Sequence, residues 1–159
     1  MRARFVLLGA ALTIGLAACG GASDGSGSDK NTKPAARQAA AQTSVKISKS
    51  SLGDILTDQS GRTLYAFTND KGGTSSCSGQ CIATWPALIS KDKVTAAAGA
   101  NPALLKATQR AEGTSQATYG VWPLYYYAGD MGPGDVDGEG VDGVWFAVGA
   151  DGKLVKTGQ

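Results

Sequence analysis

One short pattern occurs twice in this chain, sixty residues apart. It reads LYAFTND from Leu64 to Asp70 and LYYYAGD from Leu124 to Asp130. At an offset of 60, with no gap, two of the chain's three tryptophans also match. An internal repeat in one register predicts a fold built from two related units. The matched positions are Leu64 and Leu124, Tyr65 and Tyr125, Phe67 and Tyr127, Asp70 and Asp130, and Trp85 and Trp145.

The repeated motif predicts a strand that ends in an aspartate. Side chains alternate along a strand, so Tyr65 and Phe67 share one face, as do Tyr125 and Tyr127. Same-face aromatic residues followed by a tryptophan are typical of a core layer. An aspartate at a strand end commonly accepts backbone N–H groups of the following loop. The alternative is an exposed surface of aromatic rings and carboxylates that binds a glycan or a peptide.

Strand signals dominate the chain from Ser44 onward. Segments rich in β-branched and aromatic residues, bounded by Gly and Asp, predict strands, whereas Asn101 to Arg110 predicts one short helix. Residues 95–100 are predicted as loop. The predicted fold is mainly β, either a compact antiparallel barrel or a two-layer sandwich, with at most one short helix. The predicted strands are residues 45–48, 62–68, 115–120, 123–128, 144–148 and 153–156.

The first residues of the chain form an export signal. Two arginines precede an apolar run from Phe5 to Leu16, which is too short to span a bilayer comfortably. The tetrapeptide LAAC, which ends at Cys19, looks like a lipobox, so residues 1–18 are predicted to be a lipoprotein signal peptide. Cys19 would then carry fatty-acyl chains such as palmitate. The alternative is an ordinary secretory peptide in which Cys19 is incidental.

A polar stretch follows this cysteine. Residues 20–43 contain no large apolar side chain, so the segment 19–43 is predicted to be a flexible tether rich in Gly, Ser and Ala. The folded domain is predicted to span residues 44–159, a length that supports one core. Its two repeats are expected around residues 52–88 and 112–148.

The charge composition limits the classes of partner. The chain has 15 Lys and Arg and 13 Asp and Glu, and loss of Arg2 and Arg4 with the signal leaves a formal charge of zero. Without a basic surplus, binding to nucleic acid or to anionic lipid headgroups is not expected. Attachment to the membrane is expected through the N-terminal lipid anchor, which implies an extracytoplasmic location in the cell envelope. An envelope protein or a glycan is the expected kind of partner.

The cysteines divide into one lipid site and one pair. With Cys19 assigned to lipid, Cys77 and Cys81 remain in the sequence CSGQC, and outside the cytoplasm a disulfide between them is expected. Zinc is the alternative, but two thiolates in a chain without histidine fall short of the four ligands of a structural zinc site.

An acidic loop in the second repeat raises the question of calcium. Asp135, Asp137 and Glu139 alternate and Gly140 follows, as in the first half of an EF-hand loop. The twelfth position is Phe146 instead of a bidentate glutamate, and no helical pattern flanks the loop. Calcium binding is therefore a hypothesis beside the simpler interpretation of a solvated acidic turn. No other cofactor is expected.

Catalysis has little support in the residue types. A chain without histidine has no Ser-His or Cys-His pair, and the two remaining thiols are expected to be oxidised. Paired carboxylates remain, for instance Asp70 with Asp130 if the two repeats face each other. The sequence therefore predicts a non-catalytic extracytoplasmic binding or scaffolding module. The alternative is an enzyme or redox accessory that acts on a surface substrate through carboxylates.

Four segments of the chain resemble those of a known family: GRTLYAFTND, CSGQCIATWPAL, WPLYYYAGD and VWFAVGADGKLV. From Leu52 onward the chain resembles the secreted-repeat lipoproteins of bacteria that are known by a Tyr-x4-Asp motif. The lipobox, duplicated motif, close cysteines and Trp-Pro follow in the expected order. One departure is Glu112 in RAEGT, where the family has aspartate. The resemblance implies an envelope lipoprotein of unknown function, and it carries over no catalytic or binding roles.

Overall fold

Short strands joined by turns make up the part of the protein that the structure describes. The computed structural model describes residues 42–156. The predicted signal peptide, Cys19 and the tether as far as residue 41 lie outside this range. No helix between residues 42 and 156 is long and apolar enough to cross a membrane. The strands are β1 Ser44–Ser50, β2 Gly53–Asp58, β3 Tyr65–Phe67, β4 Thr95–Ala96, β5 Leu105–Gln109, β6 Ser115–Tyr119, β7 Trp122–Pro123 and β8 Trp145–Ala147, with a helix α1 at Gln80–Thr84 and a 3-10 turn at Val141–Gly143.

The strands form three small sheets. β1 and β2 form an antiparallel hairpin to which β4 adds in parallel, in the order β2-β1-β4. β5, β6 and β7 form an antiparallel sheet in that order, and β3 pairs with β8. The prediction of a mainly β fold with one short helix is confirmed. The three sheets do not close into a barrel within residues 42–156, so the sandwich is the predicted architecture that fits.

The hairpins of the two larger sheets, β1–β2 and β5–β6, repeat each other at the offset of the sequence motif. β1 and β5 lie about sixty residues apart, as do β2 and β6. Backbone hydrogen bonds follow the same register: Leu88 N donates to Leu124 O at 2.9 Å, and Val148 N donates to Leu64 O at 3.2 Å. The predicted construction from two related units is therefore confirmed.

Both repeats contribute to each of two apolar clusters in the core. Leu64 and Leu124 lie in the first cluster, and Tyr65 and Tyr125, one residue further on, lie in the second. This division follows because successive side chains of a strand point to opposite faces. The buried members of the second cluster are Ile55, Tyr65, Cys77, Trp85, Tyr125, Trp145 and Ala147.

The helix predicted at residues 101–110 is wrong. A turn forms at its start, where Asn101 Oδ1 accepts the N–H of Ala103 at 2.9 Å. Residues 105–109 then form β5, in which every residue pairs with β6. Pairing prevails because a helix of about ten residues is marginal in water, so a neighbouring strand decides the local structure.

Other elements also differ from the pattern of the sequence. The predicted strands 123–128 and 153–156 are reduced to β7 at Trp122–Pro123 and to an isolated bridge at Leu154. Residues 95–96, predicted as loop, pair with β1 as β4. β2 at Gly53–Asp58 and α1 at Gln80–Thr84 were not predicted. In β2, residues 55–58 are all buried, so the polar–apolar alternation that marks a half-buried strand is absent.

Candidate functional site

The two motif tyrosines face each other across the centre of the molecule. Tyr65 N donates to Tyr125 O at 2.8 Å, and Tyr125 N donates to Tyr65 O at 2.9 Å. Neither side chain is exposed to solvent. The mutual pair of backbone bonds joins the first repeat to the second at equivalent positions, as expected of two units related by an approximate twofold axis.

The tyrosine hydroxyls cross from one repeat to the other. Tyr65 donates its hydroxyl proton to Asp130 Oδ2 at 2.8 Å. Tyr125 donates its own to Asp70 Oδ2 at 2.7 Å. Each aspartate therefore bonds the tyrosine of the other motif and not that of its own. In the sequence Tyr65 shares a motif with Asp70, and Tyr125 shares one with Asp130. In the fold each tyrosine bonds the aspartate of the other motif, and we call these two bonds the crossed pairs.

The second oxygen of each aspartate holds the loop that follows it. Asp70 Oδ1 accepts the backbone N–H of Ser76 at 2.6 Å and its hydroxyl at 2.7 Å. Asp130 Oδ1 accepts the backbone N–H of Asp137 at 3.0 Å. Both carboxylates therefore bond two parts of the chain at once: their own loop and the partner repeat.

Aromatic rings fill the space between the crossed pairs. Trp85 and Trp145 stack with centroids 3.9 Å apart and planes 3° from parallel. Tyr65 meets Trp85 edge-on at 5.5 Å, and Tyr125 meets Trp145 edge-on at 5.2 Å. Offset-stacked and edge-on contacts are the favourable geometries for aromatic pairs. The outer rings also cross between repeats, with Phe67 on Trp145 at 4.2 Å and Tyr127 on Trp85 at 4.5 Å.

A buried arginine, Arg110, extends the network by bonding the loop of the first repeat. One terminal nitrogen of Arg110 donates to Ser75 Oγ at 2.6 Å and to Gln116 Oε1 at 2.8 Å, and the other donates to Cys77 O at 2.8 Å. Arg110 Nε also pairs with Glu112. Sequence reasoning did not single out Arg110. No local pattern distinguishes a buried arginine from a solvated one in a polar turn.

Ser75 links this arginine to the crossed pairs. The Tyr125 hydroxyl lies 2.7 Å from Ser75 Oγ as well as from Asp70. Because a phenol has one proton and an ionised carboxylate can only accept, Ser75 donates to the tyrosine while Arg110 donates to Ser75. Donation thus runs from Arg110 to Ser75, from Ser75 to Tyr125 and from Tyr125 to Asp70, which only accepts.

In the second repeat a backbone amide takes the place of Ser75. Gly138 N donates to the Tyr65 hydroxyl at 3.3 Å. A Cβ at this glycine would lie 2.8 Å from Tyr65 Cζ and 3.0 Å from Trp85 Cη2. A glycine is required here because the loop backbone lies directly against the two rings.

Burial changes the acid–base properties of the network. It raises the pKa of Tyr65, and the hydrogen bond to Asp130 adds to this effect. It also raises the pKa of Tyr125, opposed by the Ser75 hydroxyl and assisted by Asp70. Desolvation raises the pKa of Asp130, against the opposing effect of its bonds from Tyr65 and Asp137 N–H.

Of the calcium candidates singled out by the sequence, Asp137 contacts this network through its backbone N–H, which Asp130 accepts. Asp135 Oδ2 accepts the N–H groups of Met131 and Gly132 at 2.9 and 2.8 Å, and Glu139 Oε2 accepts that of Ala147 at 2.7 Å. The calcium candidates Asp135, Asp137 and Glu139 are therefore not brought together, and within residues 42–156 no three acidic or cysteine side chains form a group that could hold a metal ion.

The cysteines of the first loop are joined. The Sγ atoms of Cys77 and Cys81 lie 1.96 Å apart, at disulfide distance, and Cys77 is buried. This pair closes the loop that Asp70 and Arg110 also hold. Cys19 lies outside the described residues.

The hydrogen bonds of the crossed pairs join the two repeats, and every buried polar side chain of this network has a hydrogen-bond partner. Between residues 42 and 156 no buried side-chain nitrogen or oxygen lacks a hydrogen-bond partner. The fold and the crossed pairs together define a β-rich module of two interlocked repeats.

Comparison with known proteins agrees with this description. The sequence model of a family described as a secreted repeat of unknown function matches residues 46–89 and 106–149. The chain belongs to this family, which makes it an extracytoplasmic protein. Both matched segments begin and end sixty residues apart, the offset of the motif, and they begin within β1 and within β5. Neither a search of curated proteins nor one of solved structures found a match.

The crossed geometry predicts which residues are energetically coupled. We expect Tyr65→Phe and Asp130→Asn to show a coupling free energy of ~1–2 kcal/mol in a double-mutant cycle of urea unfolding, because they share one buried hydrogen bond. The matched control is Tyr65→Phe with Asp70→Asn, two residues of one motif that make no direct bond. Their effects should add to within ~0.5 kcal/mol. Stronger coupling within the motif than across the repeats would contradict the crossed arrangement.

The close approach of Gly138 predicts a sharp steric effect. We expect Gly138→Ala to destabilise the protein by ~1–3 kcal/mol, because both neighbouring rings are buried and cannot move aside cheaply. That corresponds to a fall of several degrees in Tm for a domain of this size. Gly132→Ala is the control, since a Cβ there would meet its nearest neighbour at 3.9 Å. Its Tm should change by less than about 2 °C, and equal losses for the two variants would show that the rings are not tightly packed.

The buried tyrosines predict loss of stability at alkaline pH. A raised pKa in the folded state means that the stabilising contribution is complete below the ordinary tyrosine pKa of about 10 and is lost as the pH rises above it. We expect the free energy of unfolding to be level from pH 8 to about 9.5 and to fall steeply above about 10. Absorbance at 295 nm should show that the buried tyrosines ionise only as circular dichroism reports unfolding. Full ionisation of a still folded protein would refute this assignment.

Proposed function

We propose that this protein is a lipid-anchored, non-catalytic module that binds or scaffolds a component of the cell envelope. Its domain is held away from the membrane by the tether 19–43. The observation that carries the proposal is the complete use of Asp70 and Asp130 inside the fold. Each carboxylate bonds a tyrosine of the other repeat and a backbone N–H of its own loop. The carboxylates that could otherwise act in catalysis thus serve as connections between the repeats.

The lipid anchor is supported by the N-terminal sequence. A charged start, an apolar run and the tetrapeptide LAAC are the features of a signal cleaved before Cys19. Lipidation is consistent with a secreted family. A single acyl chain binds membranes only marginally, so stable attachment would need the several chains of a lipidated N-terminal cysteine.

The enzyme alternative has one observation in its favour. Burial raises the pKa of Asp130, and perturbed acids are enriched at catalytic sites. Against it, Asp130 is 8% exposed and both of its oxygens already accept hydrogen bonds, from Tyr65 and from Asp137 N–H. A substrate would have to displace a bond that joins the repeats. The binding or scaffolding role is therefore the better interpretation.

The anchor is tested on the full chain expressed in a bacterium. We expect the protein in the membrane fraction and, by mass spectrometry, an N-terminal peptide that begins at Cys19 and carries acyl chains. Cys19→Ser should abolish the added mass. A variant with Cys77→Ser and Cys81→Ser is the control, because it removes the other two cysteines and should leave the lipidated peptide unchanged. A mature N-terminus without lipid in the wild-type protein would overturn the anchor.

A further inference from the structure

A cleft lies on the face of the β5–β6 hairpin, away from the crossed tyrosines. It encloses about 260 Å³ between residues 90–94 and strands β5 and β6. Its floor consists of four aliphatic side chains, of which Val94 and Ala117 are buried in the core while Leu105 is half-buried and Ala107 is exposed. The floor is therefore an apolar surface that the described part of the fold leaves partly uncovered.

Three lysines form the rim of this cleft. Lys91, Lys93 and Lys106 line it, together with one acid, Asp92. Residues 42–156 contain ten Lys and Arg and eleven Asp and Glu, so a net positive cleft stands out against a slightly negative domain. A cleft lined mainly by one sign of charge attracts counter-ions, so this cleft favours an anion.

These lysines also differ from every other cation of the described chain. Lys91, Lys93 and Lys106 make no ion pair, hydrogen bond or ring contact with another described residue. Each remaining lysine or arginine between residues 42 and 156 has such a partner. The partnered cations are Lys46 with Gln59, Lys49 with Asp54, Arg62 with Tyr126, Lys71 with Thr68, Arg110 with Gln116, Lys153 with Asp151, and Lys156 with Phe146.

The internal repeat supplies a comparison within the same molecule. Lys46 stands sixty residues before Lys106, and its ammonium group donates to Gln59 O at 3.2 Å. Sixty residues after Lys91 and Lys93 stand Asp151 and Lys153, which pair with each other at 3.1 Å. At the sequence-equivalent positions Lys46 therefore has a hydrogen-bond partner and Lys153 an ion-pair partner, whereas the lysines at the cleft have neither among the described residues.

We propose that this cleft binds a small anionic amphiphile, a molecule with one carboxylate or phosphate group and a short aliphatic tail. The inference rests on the proposed function and names the ligand class of the binding module. The ammonium groups of Lys91 and Lys93 would hold the anionic head, and Lys106 would add its positive charge from β5, with the hydroxyls of Ser90 and Ser115 also within the lining. The tail would cover the aliphatic floor. Ligand sites of this kind combine an apolar surface with a few polar groups that fix orientation.

The test uses the chain from residue 19 onward with Cys19→Ser, so that no acyl chain of its own competes. Sodium decanoate and decyl phosphate, below their micelle concentrations, are titrated while amide NMR signals are followed. We expect saturable shifts centred on residues 90–94 and 105–107. Decanol, acetate and inorganic phosphate should bind at least tenfold more weakly, because each lacks one half of the required chemistry. Stronger binding of decanoate or of decyl phosphate would identify the preferred head group.

The repeat provides a matched control for the rim. Lys93→Gln with Lys106→Gln should weaken binding at least tenfold, and Lys46→Gln with Lys153→Gln, which removes the same charge at the sequence-equivalent positions, should change it less than twofold. Ala107→Glu, at an exposed floor position, should abolish binding through repulsion. Equal weakening by both double variants would mean that only overall charge matters and would overturn the site, as would shifts that do not saturate. Either result would rule out the ligand site without bearing on the lipid anchor, which is tested separately at Cys19.

Discussion

Two buried hydrogen bonds between tyrosine and aspartate hold the two repeats in register. A phenol and a carboxylate are both costly to bury without partners, and in this fold each supplies what the other needs. Tyr65 reaches Asp130 and Tyr125 reaches Asp70, so neither repeat can satisfy its own motif alone. A separated repeat would expose one tyrosine hydroxyl and one carboxylate without their bonds, together with one face of the stacked tryptophan pair. Folding and association of the repeats are therefore one event.

The approximate twofold relation explains why these contacts occur in duplicate, and the differences between the copies are equally informative. The loop of the first repeat is held by a disulfide and by Arg110, which bonds Ser75 and Cys77 O. The loop of the second repeat has neither, and it lies against Tyr65 through a glycine backbone. One loop thus depends on side-chain connections and the other on the absence of a side chain. Both solutions deliver one additional hydrogen-bonding group to a tyrosine hydroxyl.

The sequence was informative where the two repeats could be aligned and uninformative where the partner was distant. The offset of 60 identified the residues of the crossed network, and the aspartates do hold their loops. The exchange between repeats was not visible, because a motif written along one strand does not say which chain segment its side chains meet. The helix predicted at residues 101–110 failed although the signal was present: β5 stands sixty residues after β1, whose strand was predicted. Arg110 had no such signal, since two of its partners, Ser75 and Cys77, lie more than thirty residues away in the chain.

An interlocked core also limits where such a protein can interact with others. Contacts at the twofold centre must suit both repeats at once, so substitutions there act on two loops and two strands. Far from that centre, a residue of one repeat can change without affecting the equivalent residue of the other repeat. Differences between the repeats can therefore accumulate there. Lys106 and Lys46 illustrate this: both occupy the strand that opens a repeat, yet only Lys46 has a hydrogen-bond partner among the described residues. Asp70 and Asp130 already use their hydrogen bonds inside the fold. Binding specificity can therefore develop at the outer surface, where the two repeats differ.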